Sequence, residues 1–326
     1  MSKTHWGIIG TGMIGKVLAD AINATDSAEL VAVGSRDLDR AQAFGADKGA
    51  ARAYGSYEGL FADPEVEIVY NSLPNSLHCE WTIKAAEAGK HVLCEKPLSV
   101  TVEEAERMFA AADANEVQLM EAFMYRCHPQ TAKLKAIVDS GRLGELRLIH
   151  STFSFFIGDP ANIRLSRPLH GGALMDVGCY CTNLSRFIAG AEPTAVFAAA
   201  RFGDESGVDE SFAGTLAFEG GVLAQFDVGV KHAGRSSAEI VGSVGRIEAP
   251  VPWKPGDTSR IVVYDSSGRE EIEIAGASPY VLQVEHFGRV VTEDEPPILS
   301  REDSLGNMAA ICGLLESART AEVVAL

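Results

Sequence analysis

Between residues 6 and 121 the sequence alternates two periods, and this alternation restricts the fold of the 326-residue chain more than any other feature. Apolar runs at 6–9, 30–33, 68–71, 91–94 and 118–121 have the length of buried strands. Helical stripes at 13–24, 37–48, 76–88 and 101–115 lie between them. In the first stripe Ile14, Val17, Leu18, Ala21 and Ile22 fall on one face. Asp37 stands where a cap is needed, and Glu103 and Glu104 place acids in a first helical turn. Short strands joined by helices of this length require crossover connections, which build a parallel sheet.

Beyond about residue 122 the periods change. A helix at 129–140 leads into a long extended stretch at 146–156. From Glu192 onward, hairpins dominate. Runs at 215–218 and 222–230 flank Gly220-Gly221, with Phe226, Val228 and Val230 on one inward face. Runs at 260–264 and 270–274 flank Ser266-Ser267-Gly268, and helices at 280–291 and 304–320 close the chain. The predicted class is α/β: a doubly wound parallel sheet over residues 1–122, then an α+β domain over 123–326 with a large, mostly antiparallel open sheet. No Gly/Pro/Ser-rich linker marks the boundary.

Composition narrows the partners. The chain holds 28 Lys and Arg against 45 Asp and Glu, a formal charge of −17. The acid excess is present on both sides of residue 121, so no basic lobe exists to neutralise nucleic-acid phosphates or to dock on an anionic membrane. No run approaches the ~18–20 apolar residues of a membrane span. The segment from Met1 to Trp6 has no signal-peptide pattern. The six cysteines and eight histidines show no metal-ligand spacing, so no metal site is expected. A cytoplasmic protein with a small-molecule ligand is the expectation.

Gly10-Thr11-Gly12-Met13-Ile14-Gly15 is a G-x-G-x-x-G that follows the first strand and opens the first helix. In that context it reads as the phosphate turn of a Rossmann dinucleotide-binding domain, with backbone N–H groups from Thr11 to Ile14 facing the pyrophosphate. About 20 residues further on, an acid would meet the ribose hydroxyls of NAD. Here the position holds Ser35-Arg36, a hydroxyl and a guanidinium that suit the 2′-phosphate of NADP. NADP is the expected cofactor, with NAD possible.

A second set of residues follows the later strands: Leu73-Pro74-Asn75 with His78, and Cys94-Glu95-Lys96-Pro97. A third reads Gly171-Gly172-Ala173-Leu174-Met175-Asp176-Val177-Gly178-Cys179-Tyr180. With the glycine turn and Glu121-Ala122-Phe123-Met124-Tyr125-Arg126, these make the chain resemble the glucose–fructose oxidoreductase / inositol dehydrogenase (Gfo/Idh/MocA) family over roughly residues 8–190. Tyr180, where other members carry histidine, resembles the dihydrodiol dehydrogenase and NADP-dependent xylose dehydrogenase branch and departs from the inositol dehydrogenases. The resemblance implies that Leu73, Pro74, Asn75, His78, Glu95 and Lys96 lie at the nicotinamide side of the cofactor site.

It also implies reversible hydride transfer at a carbinol carbon. Tyr180 is expected to move the proton, Lys96 to lower the phenol's pKa of ~10, and Asp176 to orient Lys96 or substrate. Lys96 and Tyr180 are expected to meet in an interdomain cleft. Asp176 and Tyr180 share a face if residues 176–180 are helical, and Gly178 weighs against a regular helix there. Arg126, Phe156, Asn162 and Arg164 are the candidate substrate residues. A sugar or related polyol is the expected substrate. Two alternatives stand beside it: a trans-dihydrodiol or dicarbonyl substrate, and a non-catalytic NADP sensor. A homodimer or homotetramer through the C-terminal sheet completes the expectation, because helices cover at most one of that sheet's faces.

Overall fold

A computed structural model describes residues 3–326; Met1 and Ser2, at the head of the N-terminal segment read above, lie outside the described residues. The chain divides into two compact units: residues up to 127 together with 278–305, and residues 128–277 together with 306–326.

The first unit is built on a parallel sheet. Its strands are β1 (Thr4–Ile9), β2 (Ala28–Gly34), β3 (Arg52–Tyr54), β4 (Ile68–Asn71), β5 (His91–Cys94) and β6 (Leu119–Glu121). Their order is β3-β2-β1-β4-β5-β6, the doubly wound order whose switch point lies between β1 and β4. The connecting helices are α1 (Met13–Asn23), α2 (Leu38–Lys48), α3 (Tyr57–Phe61), α4 (His78–Glu87) and α5 (Val102–Ala114). Asp37 caps α2 as expected, its side chain accepting from Arg40 N at 3.2 Å, and Thr101 caps α5. The expected helix from residue 76 begins instead as a 3-10 turn (Asn75–Leu77), with α4 starting at His78. Strand β3 and helix α3 carry no long apolar run and were not anticipated.

The second unit holds a nine-stranded sheet. Helix α6 (Pro129–Asp139) is followed by β7 (Leu146–Phe156), a π-wound turn (Leu174–Gly178) and α7 (Cys179–Ala189). Then come β8 (Pro193–Phe202), β9 (Asp209–Phe218), β10 (Leu223–Gly229), β11 (Lys231–Gly242), β12 (Arg246–Ala249), β13 (Thr258–Asp265) and β14 (Gly268–Ala275). After α8 (Pro279–Thr292) and α9 (Arg301–Thr320), the short β15 (Val324–Ala325) adds to β8. The order is β14-β13-β12-β11-β7-β10-β9-β8-β15, antiparallel at every pairing except β7 with β10. Both expected hairpins are present, and Phe226, Val228 and Val230 are buried.

One boundary is corrected. The expectation assigned 123–326 as a single block to the second domain, yet residues 278–305 pack in the first unit. The α8 residue Phe287 meets Trp6 of β1 edge-on at 6.1 Å, Glu285 accepts from Thr25 at 2.8 Å, and Asp303 pairs with Arg126 at 2.8 Å. An amphipathic pattern shows that a helix has a buried face, not which sheet that face covers.

Phe287→Ala would empty a fully buried site against Trp6. The expected cost is about 3–5 kcal/mol, read as a lower urea midpoint for the first unit. An unchanged midpoint would show that α8 does not complete this core.

Candidate functional site

In the first unit, the expected cofactor residues collect at the carboxyl ends of adjacent strands. Gly10 to Ile14 turn from β1 into α1, Ser35 and Arg36 follow β2, Leu73 to Asn75 follow β4, and Glu95 and Lys96 follow β5. This is the crevice where open α/β sheets bind ligands.

The β1–α1 turn is shaped for close approach from outside. Gly10 has φ +98°, and a Cβ there would stand 2.6 Å from Ser72 Oγ. A Cβ on Gly12 would meet nothing within 4 Å, so its backbone faces open space. Gly12 is the N-cap of α1 without a side-chain cap, and the first turn carries no acid. The N–H groups and partial positive charge of that helix end are left for an anion. Met13 beside it is 82% exposed, an apolar side chain on the outer side of the turn. This donor set fits a dinucleotide pyrophosphate.

At the end of β2, Ser35 is buried and its Oγ accepts from Asp37 N at 3.3 Å. Arg36 is exposed, and its charge opposes the rise that burial imposes on the Tyr57 hydroxyl.

Buried side chains hold the next two loops. Asn71, fully buried, donates to His78 O at 3.2 Å and to Thr82 Oγ1 at 3.1 Å, and accepts from Leu73 N at 3.3 Å. Glu95 is buried; its carboxylate takes a short bond from the Tyr70 hydroxyl and one from Lys96 N at 3.3 Å. Glu121 accepts from Leu98 N at 2.9 Å. The Lys96-Pro97 peptide bond is cis. Lys96 itself is half-buried.

Two expectations change here. His78 was expected to face the cofactor, but it is fully buried, with Nδ1 2.9 Å from Pro97 O and Nε2 2.8 Å from Leu73 O. It ties the Leu73 loop to the Lys96 loop. Burial pushes its pKa below the ordinary value, against the pull of those carbonyls. Arg126 was expected at the substrate, but it is buried, with its guanidinium bonded to Asp303 and to Ile298 O at 3.3 Å. A cation so committed braces the first unit.

In the second unit, Asp176 and Tyr180 lie on one continuous helical run. The π-wound turn passes directly into α7, and such turns often occur at functional positions. The doubt raised by Gly178 has a packing answer: a Cβ there would stand 2.7 Å from Leu174 Cδ1 and 3.4 Å from Val228 Cγ2. Glycine lets the helix lie close to β10. The Tyr180 ring packs against Phe153 at 5.6 Å and Trp253 at 5.9 Å. Arg164 Nε lies 2.8 Å from Asp176 Oδ2, an ion pair without hydrogen-bond alignment. Its guanidinium also sits 6.0 Å from the centre of the Phe155 ring. Asn162 caps a 3-10 turn by accepting from Arg164 N at 3.1 Å. Phe156 stands apart, 67% exposed beside Lys231.

Residues that sequence reasoning missed include Tyr70, Asn71, Glu121 and Trp253. The first three are polar groups inside apolar strand runs, a readable sign of buried hydrogen bonding. Among the described residues, no group of His, Cys, Asp and Glu is arranged to hold a metal, and no helix is long and apolar enough to cross a membrane.

Comparison with known proteins agrees with this geometry. Residues 4–123 match the model described as oxidoreductase family, NAD-binding Rossmann fold, and residues 131–248 match the GFO/IDH/MocA C-terminal domain. The chain belongs to the GFO/IDH/MocA oxidoreductase family. It is 40% identical over 327 residues to an uncharacterized oxidoreductase, ORF334, of Rhizobium meliloti, covering 98% of each chain. It is 37% identical to D-xylose 1-dehydrogenase (NADP(+)) 2 of Haloferax volcanii, over 98% of this chain and 99% of that one. Among solved structures, the 3-ketoreductase KijD10 of Actinomadura kijaniata, in complex with NADP and TDP-benzene, superposes with a TM-score of 0.92 at 30% identity, covering 97% of this chain and 98% of that one.

Gly12→Ala and His78→Ala separate contact from support. The first should leave thermal stability within about 0.5 kcal/mol, because the added methyl meets no protein atom, while weakening NADPH binding in a fluorescence titration. The second should lower stability by about 1–3 kcal/mol, because it empties a buried site and strands the carbonyl that receives the ring N–H. Unchanged NADPH affinity in Gly12→Ala would remove that residue from the site.

Proposed function

We propose that this chain is an NADP-dependent oxidoreductase that transfers a hydride between the nicotinamide and a carbinol or carbonyl carbon of a sugar or related polyol. The xylose-dehydrogenase relative, which matches nearly the whole chain, carries the substrate class. The choice of NADP rests on the end of β2. The nearby acid, Asp37, spends Oδ1 on Arg40 N, while Arg36 is exposed beside it. A guanidinium there favours a 2′-phosphate over a free hydroxyl.

Thr11 to Ile14 would hold the pyrophosphate through main-chain N–H groups, Ser35 and Arg36 the 2′-phosphate, and Leu73 to Asn75 with Lys96 the nicotinamide side. When bound, the cofactor supplies or accepts the hydride. The protein's task is the proton. In oxidation, Tyr180 takes the proton of the substrate hydroxyl; in reduction, it returns that proton to the carbonyl oxygen. A phenol with a pKa of ~10 needs a cation to do this near neutrality, and Lys96 is assigned that part. Asp176, held by Arg164, orients substrate hydroxyls.

The aromatic group of Phe153, Phe155 and Trp253 around Tyr180 supports a second reading, a more apolar diol or dicarbonyl substrate. A homodimer or homotetramer is proposed through the nine-stranded sheet. The face turned away from α7 leaves Phe197 and Leu223 44% and 42% exposed. The six cysteines form no disulfides, which suits the cytoplasm proposed for the chain.

A screen of NADP and NADPH against aldoses, polyols, diols and α-dicarbonyls in both directions tests the reading. Turnover with sugars is expected. Turnover confined to diols or dicarbonyls would favour the second reading. Tyr180→Phe should lower kcat about 100- to 10,000-fold with NADPH binding retained, Lys96→Ala should lower kcat as much at saturating NADPH, and near-normal turnover would remove that residue from the proton step. Arg36→Ala should cut the NADP-over-NAD preference roughly 10- to 100-fold, and an unchanged ratio would reject the NADP assignment. Light scattering is expected to give twice or four times the monomer mass; a monomer would reject the assembly.

A further inference from the structure

The proposed acid/base residue stands on a helix whose start is held by a side chain from another element. Asp209, the first residue of β9, is 3% exposed. Its Oδ2 accepts from Leu174 N at 2.7 Å, in the first turn of the π-wound segment. Its Oδ1 occupies the space where a side chain at position 172 would begin, since a Cβ on Gly172 would stand 2.1 Å away. Gly172 also has φ +119°, a left-handed conformation that disfavours any other residue. The carboxyl is therefore seated directly against the backbone of the turn.

That turn is shared by the other candidate residues. Gly172 N donates to Arg164 O at 2.8 Å, and Gly172 O accepts from Asp176 N at 3.0 Å. The Arg164 side chain then returns to pair with Asp176. A shift of Gly172 moves the Arg164 segment and the start of the Tyr180 helix together. Burial pushes the Asp209 carboxyl up to about 7, against the N–H groups of Leu174 and Ala173 and the charge of Arg319, which favour the carboxylate. A buried acid at a helix start fits a placement role.

We propose that Asp209 is a positioning residue: through the Gly172–Leu174 turn it fixes the helix that carries Asp176 and Tyr180, and with it the proton-transfer geometry. The proposal rests on the Tyr180 reading above for its catalytic consequence, though not for the mechanical one. The contacts of the Asp209 carboxyl named above are with the backbone of the turn, so it acts through Leu174 and Gly172. The buried groups of the first unit act in the same way on the loops that follow β4 and β5.

The test compares Asp209→Ala, Asp209→Asn and Tyr180→Phe in the full-length protein. Asparagine keeps an oxygen for Leu174 N–H and nearly the same volume, so it also covers the case in which alanine fails to fold. Three quantities are read: kcat on the best substrate of the screen, NADPH affinity by fluorescence, and hydrogen exchange of peptides covering 172–182. Asp209→Ala is expected to speed exchange in those peptides and lower kcat about 10- to 100-fold, with NADPH affinity within twofold of the parent. Asp209→Asn is expected to restore most of both losses. Unchanged exchange in Asp209→Ala, or asparagine no better than alanine, would overturn the placement role. Retained kcat in Asp209→Ala while Tyr180→Phe is inactive would overturn its catalytic consequence. Retained kcat in Tyr180→Phe would instead reject the acid/base assignment, and exchange alone would then decide the role of Asp209.

Discussion

Asn71 lies fully buried at the end of β4 and bonds to the main chain on both sides of the loop that follows. His78, Glu95 and Glu121 do the same for the neighbouring loops, each meeting backbone N–H or C=O groups. A loop at the end of a parallel strand leaves the ladder with unpaired backbone groups, and a buried one must find partners. Here side chains provide them. Pro74, Asn75 and Lys96 can then stay partly exposed, because the polar groups beneath them are already paired. The same rule operates in the second unit, where the Asp209 carboxyl accepts the N–H at a helix start.

This division of labour bears on charge. The chain is strongly acidic, yet the ligand proposed for it is an anion. Long-range attraction therefore contributes nothing, and affinity must come from short-range devices. In the proposed reading, the uncapped start of α1, the bare backbone at Gly12 and the exposed Arg36 would be such devices. Cations elsewhere are spent on their own carboxylates, as with Arg126 and Asp303 or Arg186 and Glu192.

The sequence made the parallel sheet legible because each of its main strands is a continuous apolar run next to a helix of recognisable period. It made β3 and α3 illegible because Arg52–Tyr54 is short and half-buried. The glycine turn and the run from Asp176 to Tyr180 were visible as residue patterns. The true places of His78 and Arg126 were not, since a histidine after a proline loop reads alike whether it faces a ligand or two carbonyls. Asp209 left no local signal at all: its partner, Leu174, is 35 residues earlier and reached only once β9 is in the sheet. Spacing reveals local geometry, whereas contacts made by sheet register appear only in the folded chain.

The discontinuous first unit has a consequence for biosynthesis. Trp6 lies in β1, yet the ring that packs against it edge-on, Phe287, belongs to α8 and is synthesised long afterwards. At ~5–20 residues per second, the interval between the two is roughly 15–60 s. Throughout that time the parallel sheet must persist without the packing that α8 adds beside α1, while the whole nine-stranded sheet apart from β15 is synthesised. The first unit therefore completes its packing only after most of the second has been made.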